Sequence, residues 1–306
     1  MLKSRRAPDD FSVASKSMKG RMHNIKWLFS TNKSALVALV IVLFIMLTSL
    51  LSKHIVPYDP TVGALSERLL PPSISVPPKG GFPHILGTDQ MGRDVLSRLL
   101  SGGRISLTIA VMVTIIGAMI GITLGLTAGY FGGRVDFYLM RFVDVMASFP
   151  GTIVVMTFIM VLGPGVRNLT IALFLVSWMT HARMARAETL KVRSSCMIES
   201  ARAIGASTPR ILFMHVLPNI IAPLVTVIVM ELSYKIIAEA NFSFLGFGVQ
   251  PPQSSWGLMI GEGRQYISQA WWLVTFPGII IAVTALCMHL IGNWIRQEFD
   301  PLSKKH

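Results

Sequence analysis

The chain has 306 residues, of which 52% are hydrophobic and only 14% are charged, and its mean hydropathy is +0.58. Soluble domains carry about a quarter charged residues, so this composition argues against a disordered chain, a coiled coil or a conventional soluble enzyme. The 28 Lys and Arg residues exceed the 15 Asp and Glu residues by 13. In a membrane protein the distribution of Lys and Arg among the connections indicates which side is cytoplasmic, so this excess does not indicate a nucleic-acid partner.

Apolar runs predict an all-α polytopic membrane protein with six transmembrane helices. A bilayer core about 30 Å thick needs roughly 20 mostly apolar helical residues per crossing. The run at 169–182 is short, and the run at 219–245 contains three charged residues, but both are interpreted as spans. The four uninterrupted runs lie at 35–51, 105–129, 145–163 and 271–294.

The distribution of basic residues predicts that both termini are cytoplasmic. One set of alternate connections, which includes a turn with Arg134 and Arg141, holds 19 of the 28 Lys and Arg residues, and the other set holds eight. The richer side of a membrane protein is the cytoplasmic side. The predicted divisions are a basic cytoplasmic segment at 1–33, a first span at 34–52, an external segment at 53–104, a five-helix core at 105–294 and a cytoplasmic tail at 295–306.

The external segment is predicted to have two parts. Seven prolines between residues 57 and 83 exclude a long helix from the first part. Residues 89–100 are predicted to form a separate amphipathic helix on the outer membrane surface, with Val95 and Leu99 on its apolar side and Arg93 and Arg98 elsewhere. The alternative interpretation is a scoop that receives a ligand.

The second span contains a glycine at every fourth position, namely Gly117, Gly121, Gly125 and Gly129. Residues four apart share a helix face, and small residues allow close backbone approach between helices in lipid. The spacing predicts a helix–helix packing seam. Kinks are predicted where prolines interrupt later spans, at Pro150–Gly151, Pro223 and Pro277–Gly278.

The fifth span carries Glu231, Lys235 and Glu239 at intervals of four residues, so they share one helix face. Charges at bilayer depth normally face a bundle interior or a wet cavity. Two interpretations are open: the three residues line a translocation pathway, or Glu231 and Lys235 neutralise each other while Glu239 lies near the outer interface. His181 and His289 have no partner at metal-ligand spacing, so no metal site is predicted.

Motifs for catalysis are missing from the sequence. There is no Gly-x-x-x-x-Gly-Lys phosphate loop, no His-Glu-x-x-His and no Gly-x-Ser-x-Gly. The chain is therefore predicted not to be an enzyme, to have no catalytic residues and to bind no cofactor of its own.

The connection at 187–218 has a regular pattern. Residues 199–205 read as a short helix stopped by Gly205, and a second helix is predicted to start at Thr208–Pro209. The pattern resembles the EAA loop of ATP-binding-cassette importer permeases, in which Glu-Ala-Ala, Gly and Leu-Pro recur at fixed spacing. Five positions match, Glu199, Ala201, Gly205, Leu217 and Pro218, whereas Ser200 and His215 replace an alanine and an isoleucine.

Three further stretches resemble the dipeptide and oligopeptide branch of these permeases. They are the run His84–Leu99, the run Phe244–Gly257 and the ending Asp300-Pro301-Leu302. The chain is identified as similar to the C-type subunit of this branch, which also includes nickel permeases.

The resemblance implies a type I importer permease fold in a bacterial plasma (inner) membrane. It implies four kinds of partner besides membrane lipid: a second, B-type permease subunit, two cytoplasmic ATPases that use ATP and Mg, and an extracytoplasmic solute-binding protein. It also suggests that Glu199 pairs with a basic group of the ATPase, that Ala201 and Gly205 keep the contact face small, and that Pro218 fixes the exit into the fifth span.

Alternative functions remain at this point. Peptides are the favoured cargo, and nickel, a metallophore or glutathione are alternatives within the family. A proton-driven secondary transporter using Glu231, Lys235 and Glu239 is less favoured, because the sequence shows no clear internal repeat. A membrane scaffold or receptor without transport is a third class.

Overall fold

A computed structural model describes residues 33–75 and 81–299, and within these ranges the chain is helical with no β-strand. The basic N-terminal segment up to residue 32, Pro77, Pro78 and the ending Asp300-Pro301-Leu302 lie outside the described residues. The principal helices are α1 (Lys33–Leu50), α2 (Val95–Phe131), α3 (Gly133–Ala147), α4 (Gly151–Leu162), α5 (Val166–Arg193), α6 (Cys196–Ala203), α7 (Leu217–Phe244), α8 (Trp256–Gly263) and α9 (Trp272–Phe299).

Four helices of the described chain are long and apolar enough to cross a membrane, and these include α1 and α2. The other two are the continuous stretch Thr208–Phe244 and the stretch Trp272–Glu298. The pair α3–α4 adds a fifth candidate if it is counted as one bent span. The fourth predicted span, at 169–182, lies within α5, whose ends carry Arg and Lys residues. The count of six and the cytoplasmic placement of the termini therefore stay predictions.

The prediction of a separate surface helix at 89–100 is wrong. Residues 89–94 form a turn, and α2 begins at Val95 and continues without a break through the second span. Gly92 has a φ of 73°, a left-handed conformation that ends any helix on its N-terminal side. The Asp94 side chain caps α2 by accepting a hydrogen bond from Ser97 N at 2.8 Å. Arg93 and Arg98 are buried and do not face the membrane surface.

The third predicted span also differs from the structure. Arg134 and Arg141 were assigned to a turn, but both lie on α3, which follows α2 after Gly132. At Pro150 the chain does not merely kink: α3 and α4 meet at an angle of 76°. In contrast, α7 and α9 continue through Pro223 and Pro277.

The helices enclose three main cores, and two of them position the functional elements. One core joins α1, α2, α7 and α9 around Trp256, with Val42, Ala110, Ile236 and Cys287 among its buried members. The other lies where the end of α2 meets α5 and the segment at 196–224. The first core contacts the middle of α7 through Ile236, and the second contacts its first turns through Ile220 and Leu224, so α7 connects the two.

Candidate functional site

The segment from α6 to the start of α7, residues 196–218, forms a compact elbow. Helix α6 ends at Ala203, and Gly205 takes a φ of 77°. Two backbone hydrogen bonds close the helix: Gly205 N donates to Arg202 O at 2.9 Å, and Ala206 N donates to Ala201 O at 3.0 Å. These two bonds are the ones expected where an α-helix ends in a residue with a left-handed backbone conformation. A Cβ atom added to Gly205 would meet no described atom within 4 Å, so glycine is required there for backbone conformation and not for space.

The inner side of the elbow packs on the transmembrane helices. Ile198, Ala201 and Ile211 are buried in one cluster with Leu126 of α2 and Ala185 of α5. Ala201 is 5% exposed, so its side chain lies in the elbow interior and is not presented to a partner.

Arg202 adds a polar attachment between the elbow and α2. Its guanidinium lies 4.9 Å from the centre of the Tyr130 ring, and its Nε donates to the Tyr130 hydroxyl at 3.3 Å. A cation over an aromatic face is attractive. A displacement of the elbow therefore acts directly on the end of α2.

The side of the elbow that faces away from the transmembrane helices presents exposed apolar side chains. Ile204, Phe213 and Met214 are 84%, 63% and 68% exposed. Exposed apolar groups of this size indicate a protein contact when they lie outside the bilayer. Sequence reasoning missed these three residues, because apolar residues carry no special signal in a sequence that is 52% hydrophobic.

The remaining elbow residues lie on or near this exposed side. Glu199 and Ser200 are exposed, and within the described residues the Glu199 carboxylate has no ion-pair partner. Residues 211–216 form a widened helical turn that leads into α7. His215 and Leu217 are partly buried there, and Pro218 is exposed at the first turn of α7. Within the described residues the elbow thus offers both an exposed carboxylate without an ion pair and exposed apolar groups.

The four glycines of the second span face α5, the helix that leads into the elbow. A Cβ atom on Gly121 would overlap the carbonyl oxygen of Trp178, and one on Gly129 would lie 2.7 Å from Thr189 Cβ. Gly117 and Gly125 meet Ser177 and the residues at 182–186 in the same way. Because these contacts are largely with backbone and Cβ atoms, neither helix can yield to a larger side chain. We therefore expect α2 and α5 to move as one body.

The charged residues of α7 fall into two groups. Glu231 Oε2 and Lys235 Nζ lie 3.0 Å apart, as the spacing of four residues allows. Glu239 is 0% exposed, so its side chain is enclosed by protein. Its Oε1 accepts a hydrogen bond from Ser243 Oγ at 2.7 Å, and the hydroxyls of Ser106 and Ser255 also interact with its carboxyl group.

The serines around Glu239 also hold the loop between α7 and α8. Val249 N donates to Ser243 Oγ at 3.2 Å, and Trp256 N donates to Ser106 Oγ at 3.3 Å. Ser255 Oγ caps α8 by accepting a hydrogen bond from Leu258 N. Glu239 therefore lies at a junction of α2, α7 and this loop, and it is enclosed by protein.

A second buried polar cluster lies before α2, and sequence reasoning did not find it. Asp89 Oδ2 accepts hydrogen bonds from Arg93 Nε at 2.7 Å and from Arg98 Nη1. Glu262 Oε2 lies 2.7 Å from Arg98 Nη2 and 3.2 Å from Arg93 Nη2. We call these four residues, Asp89, Arg93, Arg98 and Glu262, the four-charge cluster. It ties the external segment to α8.

Comparisons with known proteins agree with the resemblance seen in the motifs. Residues 121–301 match the family described as "Binding-protein-dependent transport system inner membrane component". Residues 22–72 match the N-terminal TM domain of oligopeptide transport permease C.

Similar curated proteins span nearly the whole chain. The dipeptide transport system permease protein DppC of Haemophilus influenzae is 35% identical over 278 residues, which are 90% of this chain and 93% of the relative. The di/tripeptide transport system permease protein DppC of Pseudomonas aeruginosa is 38% identical and covers 90% of both chains. The DppC protein of Escherichia coli K12 is also 38% identical, over 90% of this chain and 92% of the relative.

A solved structure supports the fold. A chain from the inward-facing MetNI methionine ABC transporter aligns with a TM-score of 0.54 and 19% identity. The alignment covers 66% of this chain and 96% of that one. At this level of identity the likeness concerns the fold alone, and it agrees with the predicted importer permease architecture.

Proposed function

The chain belongs to the family of binding-protein-dependent transport system inner membrane components, and from this premise we propose that it is the C-type permease subunit of an ATP-driven peptide importer. It forms the translocation pathway with a second, B-type permease chain. Two cytoplasmic ATPases drive it, using ATP and Mg, and an extracytoplasmic solute-binding protein delivers the peptide. The observation that supports this proposal most strongly is the identity of 35–38% to dipeptide permeases over 90% of the chain.

The elbow is the proposed contact with one ATPase. Phe213, Met214 and Ile204 provide exposed apolar surface, and Glu199 provides a free carboxylate for a basic group of the ATPase. A short helix with such a face suits docking in a groove on a partner. Pro218 at the start of α7 passes the motion of the elbow to the fifth predicted span.

The proposed mechanism depends on how the elbow is attached to the spans. Closure of the ATPases on ATP displaces α6, and the buried contacts of Ile198 and Ile211 carry the displacement to α2 and α5. Because these two helices are packed through the glycine seam, they respond together. The switch between outward and inward openings is then a rocking of packed helices, which are bistable and not continuously deformable.

Within this proposal the charged residues of α7 have different roles. The Glu231–Lys235 pair is the candidate pathway contact. The amino terminus of a peptide can pair with Glu231 in place of Lys235, and the carboxyl terminus can pair with Lys235 in place of Glu231. The complete burial of Glu239 and its contact with Ser243 favour a role in holding the loop between α7 and α8.

The first test removes the apolar docking surface. Phe213→Ser is expected to lower the affinity of the permease for the ATPase by about thirtyfold, and with it the amount of ATPase that co-purifies, because an aromatic anchor is worth about 2 kcal/mol or more when it enters a partner pocket. The matched control is Phe82→Ser in the external segment, where the side chain is equally exposed, at 64%. Equal ATPase recovery from the two variants would contradict docking through this face.

The second test identifies the cargo. The complete assembly in proteoliposomes is expected to take up labelled dipeptide only with ATP and the binding protein, and unlabelled dipeptides are expected to compete at least tenfold better than nickel salts or glutathione. Preferential competition by nickel or glutathione would replace the peptide assignment with those cargoes. ATP-independent uptake driven by a proton gradient would contradict the importer itself.

A further inference from the structure

A groove between α1 and α2 opens on the outside of the helix bundle. Its volume is about 270 Å³, and its lining is mostly apolar, with Met46 and Leu50 from α1 and Leu107 and Met112 from α2. One charged side chain, that of Arg104, lies in the lining. The groove therefore combines a hydrocarbon-like surface with a single cation.

A second cavity, of about 440 Å³, adjoins the same helix face. It is lined by Ser52, Lys53 and residues 56–60, which follow α1, and by Ser101 of α2. Ser101, Arg104 and Thr108 are spaced three and four residues apart, so they share one face of α2. The cavity that contains Lys53 and Asp59 therefore lies one helical turn beyond Arg104, and the apolar groove lies on the other side of Arg104.

The groove is long enough for most of one leaflet of hydrocarbon. From Arg104 to Met112 the axial rise is about 12 Å at 1.5 Å per residue. Half of a bilayer core is about 15 Å. An acyl chain in the groove would thus run from the level of Arg104 toward the bilayer midplane.

Arg104 has no partner within the residues that the structure describes. Its guanidinium is partly buried, yet none of the described carboxylates pairs with it. Lys53, in the adjoining cavity, is also without an ion pair in the same ranges. The nearby Asp59 accepts two hydrogen bonds from Thr61, at 2.8 and 2.6 Å, and does not pair with Lys53. Arg93 and Arg98 differ, because each contacts two carboxylates.

We propose that this face of α2 binds one phospholipid from the leaflet on the predicted outer side of the membrane. Arg104 and Lys53 hold its phosphate, and the groove between α1 and α2 holds an acyl chain. An arginine at the edge of the hydrocarbon region extends its side chain to the interface, and a lipid phosphate supplies an anion at that depth. The site lies away from the elbow, so its readout, bound lipid, is distinct from the ATPase recovery and the peptide uptake that test the proposed function.

The experiment measures lipid retained by the complete transporter. The complex with its partner subunits is purified from phospholipid nanodiscs, and native mass spectrometry counts bound phospholipid. Arg104→Gln removes the phosphate contact, and Val111→Trp fills the groove while leaving both cations in place. Both variants are expected to lower the bound fraction about tenfold, because charge-assisted contacts and filled apolar pockets each contribute at this level.

Two further variants give the comparison. Arg104→Lys keeps the charge and is expected to restore most of the retained lipid. Arg167→Gln removes an exposed arginine at the start of α5, which is also on the predicted outer side but outside the groove, and it is expected to retain lipid as the unmodified chain does.

Three results would overturn the proposal. One is equal lipid retention by Arg104→Gln and Arg167→Gln. Another is displacement of all binding by inorganic phosphate with no effect of Val111→Trp, which would identify a free anion site. The third is a structure of the complete transporter in nanodiscs in which a protein helix occupies the groove in place of an acyl chain.

Discussion

Replacing Asp89 with asparagine is expected to lower the free energy of unfolding by about 3–5 kcal/mol, the usual cost of leaving a buried charge without its partner. Arg93 and Arg98 both donate to Asp89 Oδ2, and all three side chains are almost completely buried. An asparagine keeps Oδ1, which accepts hydrogen bonds from Met91 N and Arg93 N in the turn. It replaces Oδ2 with an amide donor that faces two guanidinium groups, so the variant removes the charge and both hydrogen bonds from the guanidinium groups but keeps the turn.

The control for this prediction is Asp144→Asn. Asp144 also pairs with an arginine, Arg183, at 3.0 Å, but these side chains are 56% and 53% exposed. An exposed pair contributes at most about 1 kcal/mol. Chemical denaturation of the purified permease in detergent gives both values. Equal losses in the two variants would mean that the four-charge cluster contributes no more than a surface ion pair.

The four-charge cluster also shows why part of this structure was not predictable from sequence. Arg98 and Glu262 are 164 positions apart, and a single sequence contains no signal that joins them. The expectation of an amphipathic helix at 89–100 followed from local periodicity, which contains no information about a carboxylate that is distant in sequence. A buried arginine paired across the fold looks, in sequence, the same as one facing water.

Other features were predictable because they depend on local geometry. The spacing of Gly121, Gly125 and their neighbours indicates a close helix contact whatever helix lies opposite, although it does not identify α5 as that helix. Gly205 was predicted to end a short helix, because a left-handed residue after a helix favours glycine. The exposure of Phe213 depends instead on which side of the elbow packs on α2, and tertiary structure alone decides this.

The second large effect is expected at Gly205. Gly205→Val is expected to lower the amount of peptide taken up per ATP hydrolysed by at least about tenfold, because a φ of 77° costs an L-residue about 1–2 kcal/mol and a β-branched residue more. The elbow would relieve this strain by giving up the bonds from Gly205 N and Ala206 N. Ile204 and the start of the next helix would then move relative to α6, and the contact with the ATPase would no longer transmit motion.

Two comparisons distinguish this effect from general strain. Gly205→Asn is expected to keep most of the coupling, because asparagine accepts left-handed conformations. Gly246 at the other end of α7 has a φ of 85° and the same arrangement of backbone bonds, from Gly246 N to Ser243 O and from Phe247 N to Phe242 O. Gly246→Val therefore introduces the same strain far from the elbow. If it lowers the uptake per ATP as much as Gly205→Val, or if Gly205→Val inserts correctly and transports normally, then the elbow is not where the force enters the spans.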